Sequence, residues 1–279
     1  MKGVSFDLHT HTRWSDGTTT PTVNAALAAE AGLRGVALTD HDIIGGWEEM
    51  AAACARHRLE FVPGVELSTE DGGRSVHLLG YWIEPDDDAL GQEMARLSGE
   101  RASRAATMVA KLRAAGIDVA FDRVCAIANG APLGRSHVAA ALVEAEVVPN
   151  FQAAFDEWIG EDGIAYVPKR ALPPERGVQL IAAAGGVAVL AHPGRSGVSV
   201  ELLDRLVAAG LTALEADHSS HPVSVADRWR RRAAARGLLA TGSSDFHGAR
   251  KAVRIGERTT PREVVEALRS RRGQEVRSW

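Results

Sequence analysis

The sequence predicts an α/β barrel with a helical insertion, and three observations carry that reading. Apolar runs of strand length recur at about residues 4–8, 35–39, 61–65, 76–80, 187–191, 213–216 and 238–242. Helical patterns lie between several of them, most ending near a glycine such as Gly32, Gly185, Gly210 or Gly237, as helix stops do. One long central stretch holds helices alone. Strands alternating with helices imply a largely parallel sheet with helices outside it. Seven strands in that rhythm suggest closure into a (β/α)7 barrel.

The first strand runs into His9-Thr10-His11, and the helix Thr22 to Ala31 follows. The second ends at Thr39-Asp40-His41, before the helix Gly46 to Arg56. Strands three and four carry Gly64-Val65-Glu66 and Val76-His77. From about Asp87 to Pro173 the rhythm breaks into consecutive helices: Leu90 to Ala115, Phe121 to Ala128, Ser136 to Glu144 and Phe151 to Ile159. This reads as an insertion of residues 87–173 between strands four and five, placed over the barrel mouth and leaving 1–86 and 174–279 as the barrel. Helices Pro174 to Ala184, Val200 to Ala209 and Ser224 to Arg236 alternate with the last three strands. Strand five ends at Ala191-His192-Pro193 and strand seven at Gly242-Ser243-Ser244-Asp245-Phe246-His247. Beyond Pro261 an arginine-rich helix (Arg262, Arg269, Arg271, Arg272, Arg277) reads as a solvated outer face rather than a nucleic-acid patch.

At 279 residues and 45% hydrophobic content the chain can bury a full core. A formal charge of −4 argues against a generic polyanion binder, although two or three bound divalent ions would make the mouth positive whatever the bulk balance. Cys54 and Cys125 are the two cysteines, with no Cys-x-x-Cys spacing, which suits a reducing cytoplasm. The N-terminus enters a strand without a signal-like leader, and no apolar run reaches membrane-spanning length. A cytoplasmic protein with no membrane partner is expected, and no protein partner is inferred.

Nine side chains stand out as metal ligands: His9, His11, Asp16, His41, Glu66, His77, His192, Asp245 and His247. Each is expected past the carboxyl end of a strand, the edge where loops build active sites in barrels. The period-two geometry of a strand end puts both imidazoles of His9-Thr10-His11 on one face, able to chelate one ion. Imidazole with carboxylate suits zinc, manganese or iron, and the absence of thiolates argues against structural zinc. A lone His-x-His is weak evidence, but this many ligand types in register at strand ends point to two or three divalent ions and to hydrolysis.

Asp7-Leu8-His9-Thr10-His11 with Ser15-Asp16-Gly17, Thr39-Asp40-His41, Pro63-Gly64 with Glu66, Leu190-Ala191-His192-Pro193 and Gly242 to His247 resemble the motifs of the PHP (polymerase and histidinol phosphatase) superfamily. The resemblance implies the PHP fold, a distorted seven-stranded (β/α) barrel with a trinuclear site. It implies one ion held by His9, His11, Glu66 and Asp245, and a second by Asp16, His41 and His247. Glu66 would bridge to a third ion held with His77 and His192. Glu66, Asp245 and His192 would be the catalytic side chains. Asp16 stands where some members carry histidine, which favours a harder ion such as manganese or iron over zinc.

Within the insertion, Glu100-Arg101-Ala102-Ser103-Arg104, Leu133-Gly134-Arg135-Ser136-His137 and Ala165-Tyr166-Val167-Pro168-Lys169 resemble one branch of that superfamily. That branch contains bacterial 3′,5′-nucleoside bisphosphate phosphatases and relatives that trim RNA from its 5′ end. Arg101 and Arg104 share a helix face, and Arg135-Ser136-His137 opens a helix whose free N–H groups favour a phosphate. With Lys169 they form the expected seat of a second phosphate, since arginine offers paired donors to phosphate oxygens. His218 and His221 follow strand six and face the same mouth; His221 is a candidate substrate contact, with a hydrogen-bonding role behind the ligands as the equal alternative. Trp14 could stack a base, although rim packing is the simpler role, and His57 reads as surface.

The expected activity is removal of the 3′-phosphate from a nucleoside 3′,5′-bisphosphate such as adenosine 3′,5′-bisphosphate, leaving a 5′-monophosphate. The alternatives are a 5′-to-3′ exoribonuclease on short 5′-phosphorylated RNA, a histidinol-phosphate phosphatase, and, in another class, a catalytically silent metal-binding module. The arginines of the insertion argue against the histidinol-phosphate phosphatase, and the complete ligand set against the silent module.

Overall fold

In the computed structural model, which describes residues 4–168 and 170–273, strand β1 (Ser5–Asp7) pairs in parallel with β2 (Gly35–Leu38). Strand β2 in turn pairs in parallel with the first residues of β3 (Glu60–Asp71). Here the expected rhythm fails. Only Gly72 and Gly73 separate β3 from β4 (Arg74–Tyr81), so no helix fits between them and the two pair antiparallel. Both turn residues have positive φ, 58° and 85°, which glycine adopts without steric cost. Strand β4 is also antiparallel to β5 (Val187–Leu190), while β6 (Ala213–His218) and β7 (Leu239–Ser243) resume the parallel order.

An eighth strand, β8 (Thr260–Pro261), runs antiparallel to β1 and completes the order β7-β6-β5-β4-β3-β2-β1-β8. Two residues with no apolar run leave no sequence signal, so β8 was not expected. The barrel closes between its ends: Thr10 bridges Phe246, His11 N donates to Phe246 O at 2.9 Å, and Gly242 N donates to Thr260 Oγ1 at 2.9 Å. Phe6, Leu8, Leu79, Tyr81, Val187 and Val189 form one cluster with the strand residues around them. Burying each such large side chain stabilises the fold by about 1.5–3 kcal/mol. The Tyr81 hydroxyl donates to Leu8 O at 2.8 Å, so the largest of these side chains leaves no polar atom unsatisfied.

Helices α1 (Pro21–Glu30) and α2 (Trp47–His57) cover β2. The first is started by Thr20, whose side chain accepts from Val23 N, and by proline in the first turn. The insertion comprises α3 (Asp88–Ala114), α4 (Phe121–Ala128), α5 (Arg135–Glu144) and α6 (Phe151–Ala154), the last running into a π turn at Phe155–Ile159. Met108, Leu112, Val124, Val138, Leu142 and Ile159 share a core of their own. The helix α3 serves two cores, however. Its Leu90, Met94 and Leu97 pack with the barrel, whereas Ala105, Met108, Val109 and Leu112 pack with the insertion.

Helices α7 (Pro174–Ala183), α8 (Val200–Ala208) and α9 (Val223–Ala234) bury Ile181, Leu203, Leu206 and Trp229 against the sheet. The final helix, α10 (Arg262–Arg269), packs Val265 and Leu268 under the barrel, and Arg269 pairs with Glu60. Arg271 donates to Thr212 O at 3.2 Å, so part of the expected solvated arginine face is tied to the barrel floor; Arg277 lies outside the described residues. Among the described residues no helix is long and apolar enough to cross a membrane.

Candidate metal centre and cleft

All nine candidate ligands come together at one end of the barrel. Two isolated bridges, Thr10 to Phe246 and His41 to Glu66, carry the sheet ladder past the named strands and bring those segments together. Glu66 is at the centre. Its Oε2 lies 3.2 Å from His9 Nε2, 3.1 Å from His11 Nε2 and 3.1 Å from His41 Nδ1. Its Oε1 lies 2.7 Å from His77 Nδ1 and 3.0 Å from His192 Nε2. Asp245 Oδ1 lies 3.6 Å from His9 Nε2, 3.4 Å from His11 Nε2 and 3.3 Å from His247 Nδ1. Asp16 Oδ1 is 3.3 Å from His247 Nε2 and 3.7 Å from His11 Nδ1.

Not every ligand sits where the sequence put it. Glu66 lies inside the long β3, and His77 lies inside β4, which runs against its parallel neighbours. The antiparallel hairpin, rather than a strand end, delivers both.

The donor set fits divalent cations. His9 Nε2 and His11 Nε2 face each other at 3.0 Å, and both lie 3.1–3.6 Å from Glu66 Oε2 and Asp245 Oδ1. An ion about 2.0–2.1 Å from each of four donors separates neighbouring donors by about 3.3 Å. His41 Nδ1 is buried without a hydrogen bond, as a ligand atom aimed at a cation would be. Among the described residues four overlapping groups could each hold an ion: His9, His11 and Glu66; His11, Asp16, His41 and His247; His41, Glu66 and His77; and His9, Glu215 and His218.

A layer of carboxylates behind the ligands fixes their geometry. Glu215, fully buried, lies 3.1 Å from His9 Nδ1, accepts from His192 N at 2.8 Å and also accepts from Ser243 Oγ. Asp7 accepts from Ser244 N at 3.0 Å and Gly256 N at 2.8 Å; Asp40 accepts from Thr12 N at 2.8 Å and Ser15 Oγ at 2.5 Å. Serine hydroxyls complete the outer histidines: Ser75 Oγ lies 3.0 Å from His77 Nε2 and Ser196 Oγ 3.2 Å from His192 Nδ1. Such partners fix tautomer and ring orientation. The backbone is strained here as well. Asp42, His192 and Asp245 have φ of 55°, 29° and 56°, a region that costs a non-glycine residue about 1–3 kcal/mol.

Burial opposes ionisation of Glu66, yet the imidazoles of His41, His77 and His9 outweigh it and hold its carboxyl well below the usual range. Burial likewise opposes ionisation of Asp245, and Lys251, His247 and His9 reverse it. Burial pulls His247 down to about 4, with Lys251 adding to the effect. Two anionic carboxylates are thus available to cations at neutral pH.

Above the cluster opens a cleft of about 530 Å³, walled by barrel loops and by the insertion. Arg104, Arg135 and Ser136 line it from the insertion side. Among the described residues Arg135 makes no hydrogen bond or ion pair; its guanidinium carbon lies 5.6 Å from the Phe155 ring centre and 5.9 Å from that of Tyr166. Burial lowers its pKa and brings that of Arg104 down to about 10. Arg104 donates to Val167 O at 2.7 Å, which leaves part of its fork open. Arg101 also borders the cleft, but Asp42 at 2.7 Å and Ser68 at 2.6 Å occupy its Nε and one terminal nitrogen.

Two expected substrate contacts take other work. His137 Nδ1 accepts from Gly134 N at 3.1 Å, capping α5. His221 is closed on both ring nitrogens, with Nδ1 2.9 Å from Ala216 O and Nε2 accepting from Gly194 N at 3.1 Å. Both are buried outside the cleft lining, where they set the loops that do line it. Lys169 lies outside the described residues. His218 keeps Nε2 free of hydrogen bonds, 3.4 Å from Asp245 Oδ2. Trp14 packs against Gly45 and Gly46 at the rim, and His57 is exposed.

Sequence reading missed Glu215 and the cations of the barrel lip. Lys251 Nζ lies 2.5 Å from Asp245 Oδ2, Arg250 donates to Asp16 O at 2.6 Å, and Arg195 reaches within 3.8 Å of Asp245 Oδ2. A signal existed for each: Glu215 is a carboxylate set among apolar residues at the start of a strand, and the cations follow the His192 and His247 motifs within four residues.

Residues 7–122 match the model of the PHP domain. A 3′,5′-nucleoside bisphosphate phosphatase of Chromobacterium violaceum is 38% identical over 251 residues, covering 88% of this chain and 87% of that protein. A 5′-3′ exoribonuclease of Salmonella typhimurium is 32% identical over 225 residues, covering 80% of this chain and 75% of its own length. A solved structure from Bifidobacterium adolescentis, provisionally described as a metal-dependent phosphoesterase, superposes with a TM-score of 0.91 at 32% identity, covering 99% of this chain and 98% of the other.

Proposed function

This chain belongs to the PHP phosphoesterase family and is a hydrolase; from that premise we propose that it removes the 3′-phosphate of nucleoside 3′,5′-bisphosphates. The observation that carries the choice of substrate is Arg135. A half-buried guanidinium without an ionic partner among the described residues, facing the same cleft as the ligand cluster, calls for a second anionic group on the substrate. The relative from Chromobacterium violaceum supports the same reading.

We assign His9, His11, Glu66 and Asp245 to one ion, Asp16, His41 and His247 to a second, and His77 and His192 with Glu66 to a third. Asp16 favours manganese or iron over zinc. When bound, such ions stabilise charge on the phosphoryl oxygens and lower the pKa of water. The chain's own residues do the rest. Arg135 and Ser136, at the start of α5, bind the 5′-phosphate, with Arg104 beside them. Lys251 sets the orientation of Asp245 and adds positive charge where the scissile phosphate lies. Glu215 holds His9 with Nε2 toward the ligand cluster. Glu66, Asp245 and His192 are the side chains on which turnover depends.

A phosphate-release screen over adenosine 3′,5′-bisphosphate, mononucleotides, histidinol phosphate and short 5′-phosphorylated RNA tests this reading. The bisphosphate is expected to lead by a wide margin, because histidinol phosphate leaves Arg135 without a partner. A preference for histidinol phosphate would overturn it. Short 5′-phosphorylated RNA is the second reading, supported by the exoribonuclease relative, and it uses the same anchor.

A further inference from the structure

Arg101 lies midway along α3, between Leu97, which packs with the barrel, and Ala105, which packs with the insertion. Its side chain, 13% exposed, leaves the helix for the barrel. Nε donates to Asp42 Oδ2 at 2.7 Å, and one terminal nitrogen donates to Ser68 Oγ at 2.6 Å. The triangle closes on itself, because Asp42 Oδ1 accepts from Ser68 N at 2.7 Å and both barrel residues are buried. The other terminal nitrogen faces the start of α5: a Cβ built on Gly134 would stand 3.5 Å from it.

Asp42 directly follows His41, and its backbone fixes where that imidazole goes. Glu66 N donates to Asp40 O and Asp42 N to Glu66 O, both at 3.1 Å, so two backbone bonds clamp His41 beside Glu66. The chain leaves that clamp at Asp42 with φ of 55°, a conformation aspartate adopts when its short side chain is bonded locally. Here those bonds run to Ser68 and Arg101. Without the guanidinium, the buried carboxylate would keep a charge with no cation beside it. The turn that aims His41 Nδ1 at the ligand cluster would lose its support.

We propose that Arg101 is a positioning residue of the metal centre: acting through Asp42, it holds His41 in place for an ion. The insertion then takes part in metal binding as well as in covering the cleft. This rests on the reading that His41 is a ligand, with Asp16 and His247 as its partners. Arg101 is thereby removed from the expected substrate contacts, since its donors serve the ligand loop rather than a phosphate.

The experiment titrates manganese into chelated wild type, Arg101→Ala, Arg101→Lys, Asp42→Asn and the Arg101→Ala/Asp42→Asn double variant. Bound ions per chain are counted beside kcat and KM on adenosine 3′,5′-bisphosphate. Arg101→Ala is expected to weaken the loosest manganese by at least about tenfold and to lower kcat, with KM changed less than about twofold. Excess manganese should restore kcat. Arg101→Lys keeps the charge but cannot fork to Asp42 and Ser68 together, so it should recover only part of the loss. The double variant should lose little more manganese affinity than the worse single variant, because both changes break one contact. Losses that multiply, or a raised KM with full manganese binding, would make Arg101 a substrate contact and overturn the proposal. Should Arg101→Ala fail to fold, Asp42→Asn, which keeps the volume, decides alone: unchanged manganese affinity would overturn it equally. A wild type that binds no manganese would instead remove the ligand reading on which it rests.

Discussion

Glu215 holds Nδ1 of His9 at 3.1 Å and so turns Nε2 of the same ring toward Glu66 and Asp245. The carboxylate also takes His192 N, which ties a residue of strained backbone to the same anchor. Partners of this kind typically contribute 10- to 100-fold to metal affinity or activity. Glu215→Gln should therefore lower metal affinity by about that factor with the fold retained. Metal content after dialysis, read beside circular dichroism, checks it; full metal retention would remove Glu215 from this role.

Glu66 and Asp245 are expected to be indispensable. Changing either to alanine removes oxygens that face several imidazoles at once, and turnover should fall by at least about 100-fold. An Asp245→Ala protein with near-normal turnover would sink the assignment. The comparison needs melting curves alongside, since the loss should fall on turnover with the fold kept.

Arg135→Ala should weaken use of a 3′,5′-bisphosphate roughly ten- to a hundredfold, the worth of one charge-assisted contact at about 1.5–3 kcal/mol. A minimal phosphate ester, which leaves Arg135 empty, should lose far less. The measurement is kcat/KM for both substrates in wild type and variant, and equal losses would refute the anchor.

Chelated protein should regain activity with manganese at least as well as with zinc, because Asp16 supplies an oxygen where some relatives in the superfamily supply a nitrogen. Titration of each metal into the same chelated sample decides the point. A clear zinc preference would count against it.

His137, which is not among the candidate ligands, predicts a pH effect on stability. Burial lowers its pKa to about 4, and its Nδ1 accepts from Gly134 N, which a protonated ring cannot do. The folded value lies below the unfolded one, so the contribution is present above about pH 6.5 and is lost as pH falls from there toward 4. Between pH 7 and 5 that amounts to about 2 kcal/mol. Denaturant unfolding of wild type should weaken over this interval by about that much more than His137→Gln; parallel slopes would show that the cap does not govern acid sensitivity.

How far the sequence could be read depended on the physics behind each signal. His9, His11 and His41 follow apolar runs with period-two spacing, and their placement follows from local strand geometry. His77, expected past a strand end, lies instead inside β4, because the antiparallel hairpin hangs on Gly72 and Gly73, a turn that two residues encode. Arg135 and His137 are neighbours with the same motif credentials, yet one faces the cleft and the other caps its own helix. That distinction arises from packing between α5 and the residues around it, which no periodicity reports. Glu215 and Lys251 were missed for a related reason: each acts on a residue distant in the chain or on the far side of a turn.

The helix α3 runs for 27 residues without a proline, about 40 Å end to end. Because its opening turns are cemented into one core and its closing turns into the other, it works as a tie beam between them. The roof bearing Arg104 and Arg135 cannot tilt over the metal floor without bending that beam or tearing out one of its footings. If those footings hold, the span between Arg135 and the candidate ligands is set when the chain folds, and a substrate would be gauged against it. A mutation that loosens either footing, such as one at Leu97 or Leu112, should blur that gauge from a distance, degrading discrimination between phosphate esters before it degrades hydrolysis itself.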